Sequence, residues 1–311
     1  MKGTSLMNKM RFVVSLTTRD NDYQAEQAAA AEHAATCLGS EIEILYAEND
    51  AVQQSQQLLR IIQSSAWLPA GIIFEPVGAT GLPQVAKAAA AAGVGWVVLN
   101  RTVDYLSDLR RNYRIPIFSI KSDHEEIGRI QGKQVAAVLP RGGNVLLIQG
   151  SGESSGARER LSGLNETKPA NIQVRVVKSD WTEQGARKTV SSWLTLSTSR
   201  REHLDAVVSQ NDVMAIGARK AFQEITDAET RARFSRVLYL GVDGVRTTGQ
   251  EWLKRDLLAG TVFVPTNADI AIEMLTTAIR KGNIPCETNL TVPKALPSVE
   301  ELRAKLGRRT V

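Results

Sequence analysis

Nine residues of this sequence carry side chains that grip oxygen atoms in pairs or cover a flat apolar face, and each follows a short apolar run. Tyr23 lies beyond "RFVVSLT", Glu75 ends "GIIF", and Asn100 and Arg101 follow "GWVVL". Arg158 lies beyond "NVLLIQG", Trp181 beyond "IQVRVVK", Asn211 beyond "DAVVSQ", Asp243 beyond "VLYLGV" and Asn267 beyond "GTVFVP". The set is planar and bidentate, with two aromatics and no histidine or cysteine. Vicinal hydroxyls match such groups. A carboxylate or amide spans two neighbouring O–H groups, a guanidinium forks onto two oxygens, and an aromatic ring covers the C–H face of a sugar.

Each polar residue has a plainer alternative. Where a strand hands over to a helix, Asp and Asn commonly cap the free N–H groups of the first turn. Asp22, Asp180 and Asp212 are expected to be caps of this kind. In "SQNDVMAIGA" Asp212 is the expected cap, and Asn211 is the residue that the strand presents at its end. Arg101 and Arg158 accept no hydrogen bond and cannot cap; their alternative is a surface ion pair.

The elements that must position these residues alternate along the chain. Strands are expected at 11–17, 41–47, 70–76, 95–100, 116–120, 144–150, 172–178, 205–210, 237–243 and 260–265. Helical patterns fill 20–38, 50–65, 81–92, 123–139, 156–167, 182–197, 212–227, 246–257 and 267–281. Most strands are continuously apolar, as parallel strands covered on both faces must be. The order predicts an α/β fold of doubly wound parallel sheets, whose ligands sit beyond the carboxyl ends of the strands. Ten strands are too many for one neat sheet, so two similar lobes are expected. They comprise 10–120 with 266–288, and 121–263 with 289–311, joined by a multi-strand hinge crossing near 120–123, 263–266 and 288–293. Asp123 and Glu126 form a capping box at the first crossing. The Ala-rich stretches 28–35 and 86–92 suit close-packed helix faces.

Composition narrows the function. The 311 residues are 43% hydrophobic and 23% charged, with a net charge of +5. The basic clusters "LRRNYR" and "GRRTV" are read as solvated surface, which argues against direct nucleic-acid binding. No apolar run approaches the ~20 residues of a membrane span. Cys37 and Cys286 suit small buried residues better than a disulfide framework, and the three histidines lack ligand spacing, so neither a metal site nor a cofactor is expected. "GESSG" at 152–156 fits a nucleophile elbow, yet His203 stands at the start of the strand from Asp205, roughly 15 Å from its far edge. No catalytic residue is therefore expected. The N-terminal "MKGTSLMNKMRFVVSL" lacks a full signal-peptide core. The expected location is periplasmic or extracytoplasmic if a signal was removed, and cytoplasmic if this N-terminus is native.

The order "SGARER", "DW", "QNDVMAIGARKAF", "LGVDG" and "LAGTVFVP", with "LNRTVD" after the fourth strand, resembles the type I periplasmic binding proteins of the ribose-binding kind. It is equally similar to the ligand-binding core of the LacI repressor family. The resemblance covers residues 10 to 295 and implies two lobes closing on a small ligand. It implies polar contacts from Arg101, Arg158, Asn211 and Asp243, stacking by Tyr23 and Trp181, and a further contact from Asn267. Where the family usually has an Asp-Arg pair, this sequence has Asn100-Arg101, and Glu75 adds a carboxylate. The expected function is the substrate-binding component of an ABC sugar importer, a monomer taking a sugar, polyol or sugar acid in the interlobe cleft and meeting a permease if exported. The alternative is a ligand-sensing module of a LacI-like regulator or signalling system without its own DNA-binding headpiece.

Overall fold

The computed structural model describes residues 9–64, 66–78, 81–152, 154–201 and 203–307. Glu153 of the "GESSG" motif, the leading residues 1–8 and the last four residues of the basic tail lie outside them.

The chain divides into two compact units, Met1–Lys121 with Thr266–Thr291, and Ser122–Pro265 with Val292–Val311. It passes between them at Lys121–Ser122, Pro265–Thr266 and Thr291–Val292.

The first unit begins β1 (Arg11–Leu16), α1 (Asp22–Cys37), β2 (Glu41–Tyr46), α2 (Ala51–Ile62), β3 (Gly71–Phe74), α3 (Pro83–Ala91), β4 (Gly95–Leu99), α4 (Leu106–Asn112) and β5 (Ile117–Ser122). The second unit follows with α5 (His124–Val138), β6 (Gly143–Gln149), α6 (Ser155–Thr167), β7 (Ile172–Lys178), α7 (Glu183–Leu194), α8 (Ser197–Arg201), β8 (Ala206–Ser209) and α9 (Asp212–Gln223). It continues through α10 (Ala228–Phe234), β9 (Leu238–Leu240), α11 (Gly249–Lys254) and β10 (Thr261–Phe263). The chain then returns to the first unit for α12 (Ala268–Lys281) and β11 (Thr288–Thr291), and ends in the second with β12 (Lys294–Leu296) and α13 (Val299–Gly307).

In the first unit the strands run in the order β11-β5-β4-β3-β1-β2. β1 pairs in parallel with both β2 and β3, Val13 lying opposite Glu43 on one side and Ile72 on the other. β3 and β4 are buried at every residue, as their unbroken apolar sequences predict. On one face of the sheet, Ala28, Ala31, Ala34 and Ala35 of α1 pack with Ala271, Ile272 and Leu275 of α12. Their small side chains let the two helices approach, while each fully buried Leu or Ile contributes about 1.5–3 kcal/mol.

The second unit repeats the design with the order β7-β6-β8-β9, all neighbours parallel. β10 pairs antiparallel with β12 and makes bridges from Gly260 to Leu240 and from Phe263 to Asp243. In each sheet the strand order reverses beside the first strand, between β1 and β3 and between β6 and β8. Carboxyl ends at such reversals are where open parallel sheets leave room for ligands.

All ten expected strands are present, several trimmed at their ends. The structure adds the short helices α4, α8, α10 and α13 and the strands β11 and β12. Of these, α13 has a local signal: Ser298 and Glu301 cap one another reciprocally, Glu301 N–H donating to Ser298 Oγ and Ser298 N–H to Glu301 Oε2. Cys37 and Cys286 are both exposed, not buried as composition suggests. Arg110 of the basic cluster is not simply solvated either, since it donates to the Pro285 carbonyl at 2.9 Å.

Candidate functional site

At the β1–β3 reversal a buried carboxylate organises the first unit's strand ends. Glu75, 4% exposed, accepts from Gln24 Nε2 at 2.9 Å and from Asn100 Nδ2 at 3.0 Å through the same oxygen. Its other oxygen lies 3.6 Å from the Arg101 guanidinium. Asn100 Oδ1 accepts from Asn267 Nδ2, and Asn267 Oδ1 accepts from Thr291 Oγ1 at 2.9 Å. Asn267 opens α12 but does not cap it with its own side chain. Gln27 Oε1 takes that role, accepting from the N–H groups of Asn267 and Ala268. The sequence thus places Asn267 correctly at the strand end, but it stands behind Asn100 as a buried support. Arg101 is the outermost member, its side chain 23% exposed. Tyr23 sits half-buried in the first turn of α1.

This chain of bonds explains why a charged residue tolerates burial. A buried carboxylate is costly unless donors and a counter-charge surround it, and Glu75 has both. Glu75→Gln keeps an oxygen for Gln24 and Asn100 but removes the charge facing Arg101. We expect a loss of about 1 kcal/mol in stability, measured by urea denaturation. A loss above ~3 kcal/mol would mean that the charge itself holds the unit together.

In the second unit, Gln210 ties the β6–β8 reversal. Its Oε1 accepts from Gly150 N–H at 3.0 Å and its Nε2 donates to the Ala157 carbonyl at 2.9 Å. Arg158 is exposed and donates to the Gly152 carbonyl at 3.0 Å. Arg160, absent from the sequence-based set, is buried: it donates to His124 Nδ1 and to the Gln210 carbonyl, with its guanidinium 5.6 Å from the Trp181 ring centroid. Two residues apart on a helix, the arginines point to opposite sides. Arg160 supports Trp181 from within while Arg158 reaches outward.

Trp181 also rests against Gly150. A methyl group built on that glycine would lie 2.1 Å from the indole ring. Gly150→Ala should therefore displace the ring at a cost of about 1–3 kcal/mol. The check is a thermal-denaturation cycle with Trp181→Ala, in which the glycine substitution should cost little once the indole is gone.

The structure corrects the reading of the caps. Asn211, not Asp212, caps α9: its Oδ1 accepts from Met214 N–H at 2.9 Å while its Nδ2 donates to the Trp181 carbonyl at 2.9 Å. Asn21 rather than Asp22 caps α1, and Thr182 rather than Asp180 caps α7. Asp180 instead accepts from the backbone and hydroxyl of Thr182. Capping does not exhaust Asn211, because its amide has a second N–H.

Asp212 becomes a buried hub. Its Oδ1 accepts from Thr261 Oγ1 at 2.6 Å and its Oδ2 from Gly244 N–H at 2.8 Å. Methyl groups at Gly241 and Gly249 would lie 2.0 and 2.1 Å from those oxygens, so these two glycines make room for the carboxylate. The hub fixes the turn presenting Asp243, whose backbone is bonded on both sides, donating to the Val262 carbonyl and accepting from Val264 N–H.

Three of the nine residues hold a left-handed backbone: Asn100 at φ 55°, Trp181 at φ 72° and Asp243 at φ 104°. Such conformations cost roughly 1–3 kcal/mol for residues other than glycine and concentrate where a side chain must be aimed. For the bulky Trp181 this is an outlier.

The serine and histidine weighed for a nucleophile elbow each have other partners. Ser154 is buried as the cap of α6, accepting from Ala157 N–H at 3.3 Å, while His203 is exposed and pairs with Asp205 at 2.9 Å, before β8. Among the described residues no group of three or more His, Cys, Asp and Glu gathers as a metal site, and no helix is long and apolar enough to cross a membrane.

Comparison with known proteins bears on the fold and the family. The chain is 24% identical over 250 residues to the D-allose-binding periplasmic protein of Escherichia coli K12, covering 79% of this chain and 76% of that protein. It is 24% identical over 260 residues to the ribose import binding protein RbsB of Salmonella typhimurium, covering 84% and 81%. A putative rhizopine-binding protein of Rhizobium meliloti matches at 24% over 197 residues, 62% of this chain, and this chain spans only 60% of that relative's length. Among solved structures, a galactofuranose-binding protein superposes with a TM-score of 0.80 at 21% identity, covering 96% of this chain and 99% of that one. The arabinose-transporter binding component of Shewanella sp. ANA-3 gives 0.79 at 20% identity, covering 97% of each. These likenesses establish the fold as that of the two-lobed type I binding proteins. The model of the periplasmic binding protein domain matches residues 12–283, from β1 through α12 and across both units, and the chain belongs to that family.

Proposed function

We propose that the chain binds a small, neutral, carbohydrate-like ligand through the strand ends of its two units and serves as the binding component of an ABC importer outside the cytoplasm, without catalysing a reaction. The observation that carries this reading is the pair of strand-order reversals, each furnished with oxygen-gripping side chains on a buried, hydrogen-bonded frame. Arg101 and Asn100 supply the first set; Arg158, Asn211 and Asp243 supply the second, with Tyr23 and Trp181 as stacking surfaces. Glu75 and Asn267 act through Asn100 and Arg101.

Charge favours a neutral ligand over a sugar acid. Glu75 lies against Arg101 in the first set, and the second set holds one carboxylate, Asp243, and one guanidinium, Arg158. Vicinal hydroxyls can both donate to Asp243 and accept from the arginines, which a carboxylate ligand cannot do. The relatives named for allose and ribose fit the same chemistry.

The test is equilibrium dialysis of protein unfolded and refolded to strip any carried ligand, using labelled ribose, allose, xylitol, myo-inositol and glucuronate. Saturable binding of a neutral member is the expected result. Binding of glucuronate alone would overturn the charge argument, and binding of none would count against the carbohydrate assignment.

A further inference from the structure

Outside the two clusters, one pair of metal-ligating side chains stands ready on a helix surface. His33 and Cys37 lie one turn apart on α1, both exposed, with His33 Nε2 3.6 Å from Cys37 Sγ. Zinc–sulfur and zinc–nitrogen bonds of about 2.3 and 2.0–2.1 Å, at a tetrahedral angle, require a sulfur–nitrogen separation of about 3.5–3.6 Å. The two donors therefore already stand at the bite of a tetrahedral ion. Both donors lie near the carboxyl end of the helix. Cys37 is the last residue of α1, and the carbonyls of Ala34, Ala35 and Thr36 in that turn accept from the N–H groups of Leu38, Ser40 and Gly39. That last turn contains no basic residue, although Arg280 reaches the following Leu38 carbonyl at 3.4 Å.

We propose that His33 and Cys37 form a two-residue chelate for a thiophilic divalent cation of the zinc class, with water filling the remaining positions. No third His, Cys, Asp or Glu joins them among the described residues. The site is thus open and exchangeable, unlike a closed four-ligand structural site. Binding replaces two waters on the ion with Nε2 of a neutral imidazole and with the thiolate, and the thiol proton passes to solvent. Affinity should consequently fall as the pH is lowered. Neither residue belongs to the sugar-binding set, so the proposal stands independently of that reading.

Cobalt(II) is the probe, because a thiolate on tetrahedral cobalt gives a near-ultraviolet charge-transfer band. The reduced full chain should bind one cobalt per molecule with such a band, and zinc should displace it. Cys37→Ser should abolish the band, Cys286→Ser should leave it, and His33→Ala should weaken binding by roughly tenfold or more, since one of two ligands is lost. Both residues are exposed, so the variants should melt with the parent. No band, a band surviving Cys37→Ser, or an unchanged titration in His33→Ala would each overturn the chelate, the last because it would leave only a lone cysteine.

Discussion

Replacing Asp212 with alanine should cost about 3–5 kcal/mol of stability, more than any other single substitution in either cluster. The carboxylate is 2% exposed and accepts from a backbone N–H and a hydroxyl. Its removal strands both donors and empties the space that Gly241 and Gly249 leave for it. Charge-assisted bonds contribute about 1.5–3 kcal/mol each, and a buried donor without a partner adds a desolvation penalty. Asp212→Asn should be milder, about 1–2 kcal/mol, because an amide oxygen still reaches Gly244 N–H while Thr261 can rotate to accept. Urea denaturation of the two variants measures this ordering. A loss within ~1 kcal/mol for the alanine variant would show that the hub does not hold the β9–β10 region.

Asp243→Ala and Arg158→Ala should each weaken ligand binding by about 2–4 kcal/mol, on the order of 30- to 1000-fold, because each leaves a desolvated partner on the ligand unpaired. The two experiments separate binding from folding. Arg158 is exposed, so its alanine variant should lose no more than about 1 kcal/mol of stability, whereas Asp243→Ala puts alanine at φ 104°, a conformation aspartate tolerates better, and should lose about 1–2 kcal/mol. Calorimetric titration with the sugar that binds the parent, set beside thermal melts without ligand, gives both quantities. Parent-like affinity in both variants would mean that these two residues are wrongly assigned to the ligand.

The alternation of strands and helices was legible because buried parallel strands are continuously apolar and their neighbours carry helical periodicity. Assignment of roles one residue apart was not. At both Asn21-Asp22 and Asn211-Asp212 the asparagine takes the cap, and local preference ranks Asn and Asp alike as caps. What makes Asp212 a hub is its contact with Gly244 and Thr261, residues 32 and 49 positions away, which no local pattern announces. The same holds for Glu75: its partners Gln24 and Asn100 meet it only once β1, β3 and β4 are side by side. Motif order alone separates Arg158 from Arg160 in the sequence, whereas their different burial follows from the face of α6 that packs inward. The cysteines misled through composition, since cysteine is commonly buried, whereas Cys37 closes a helix at the surface.

The most direct test of carbohydrate binding is a thermal-shift screen of the native chain against pentoses, hexoses, polyols, sugar acids and purine nucleosides. A ligand that binds only the folded state must raise the melting temperature, by an amount corresponding to about 2.7 kcal/mol at a hundredfold excess over Kd. The expected result is a rise with a neutral sugar or polyol that disappears in Asp243→Ala. No rise with any sugar or polyol, in protein that mass spectrometry shows to carry no bound carbohydrate, would contradict a carbohydrate-binding role.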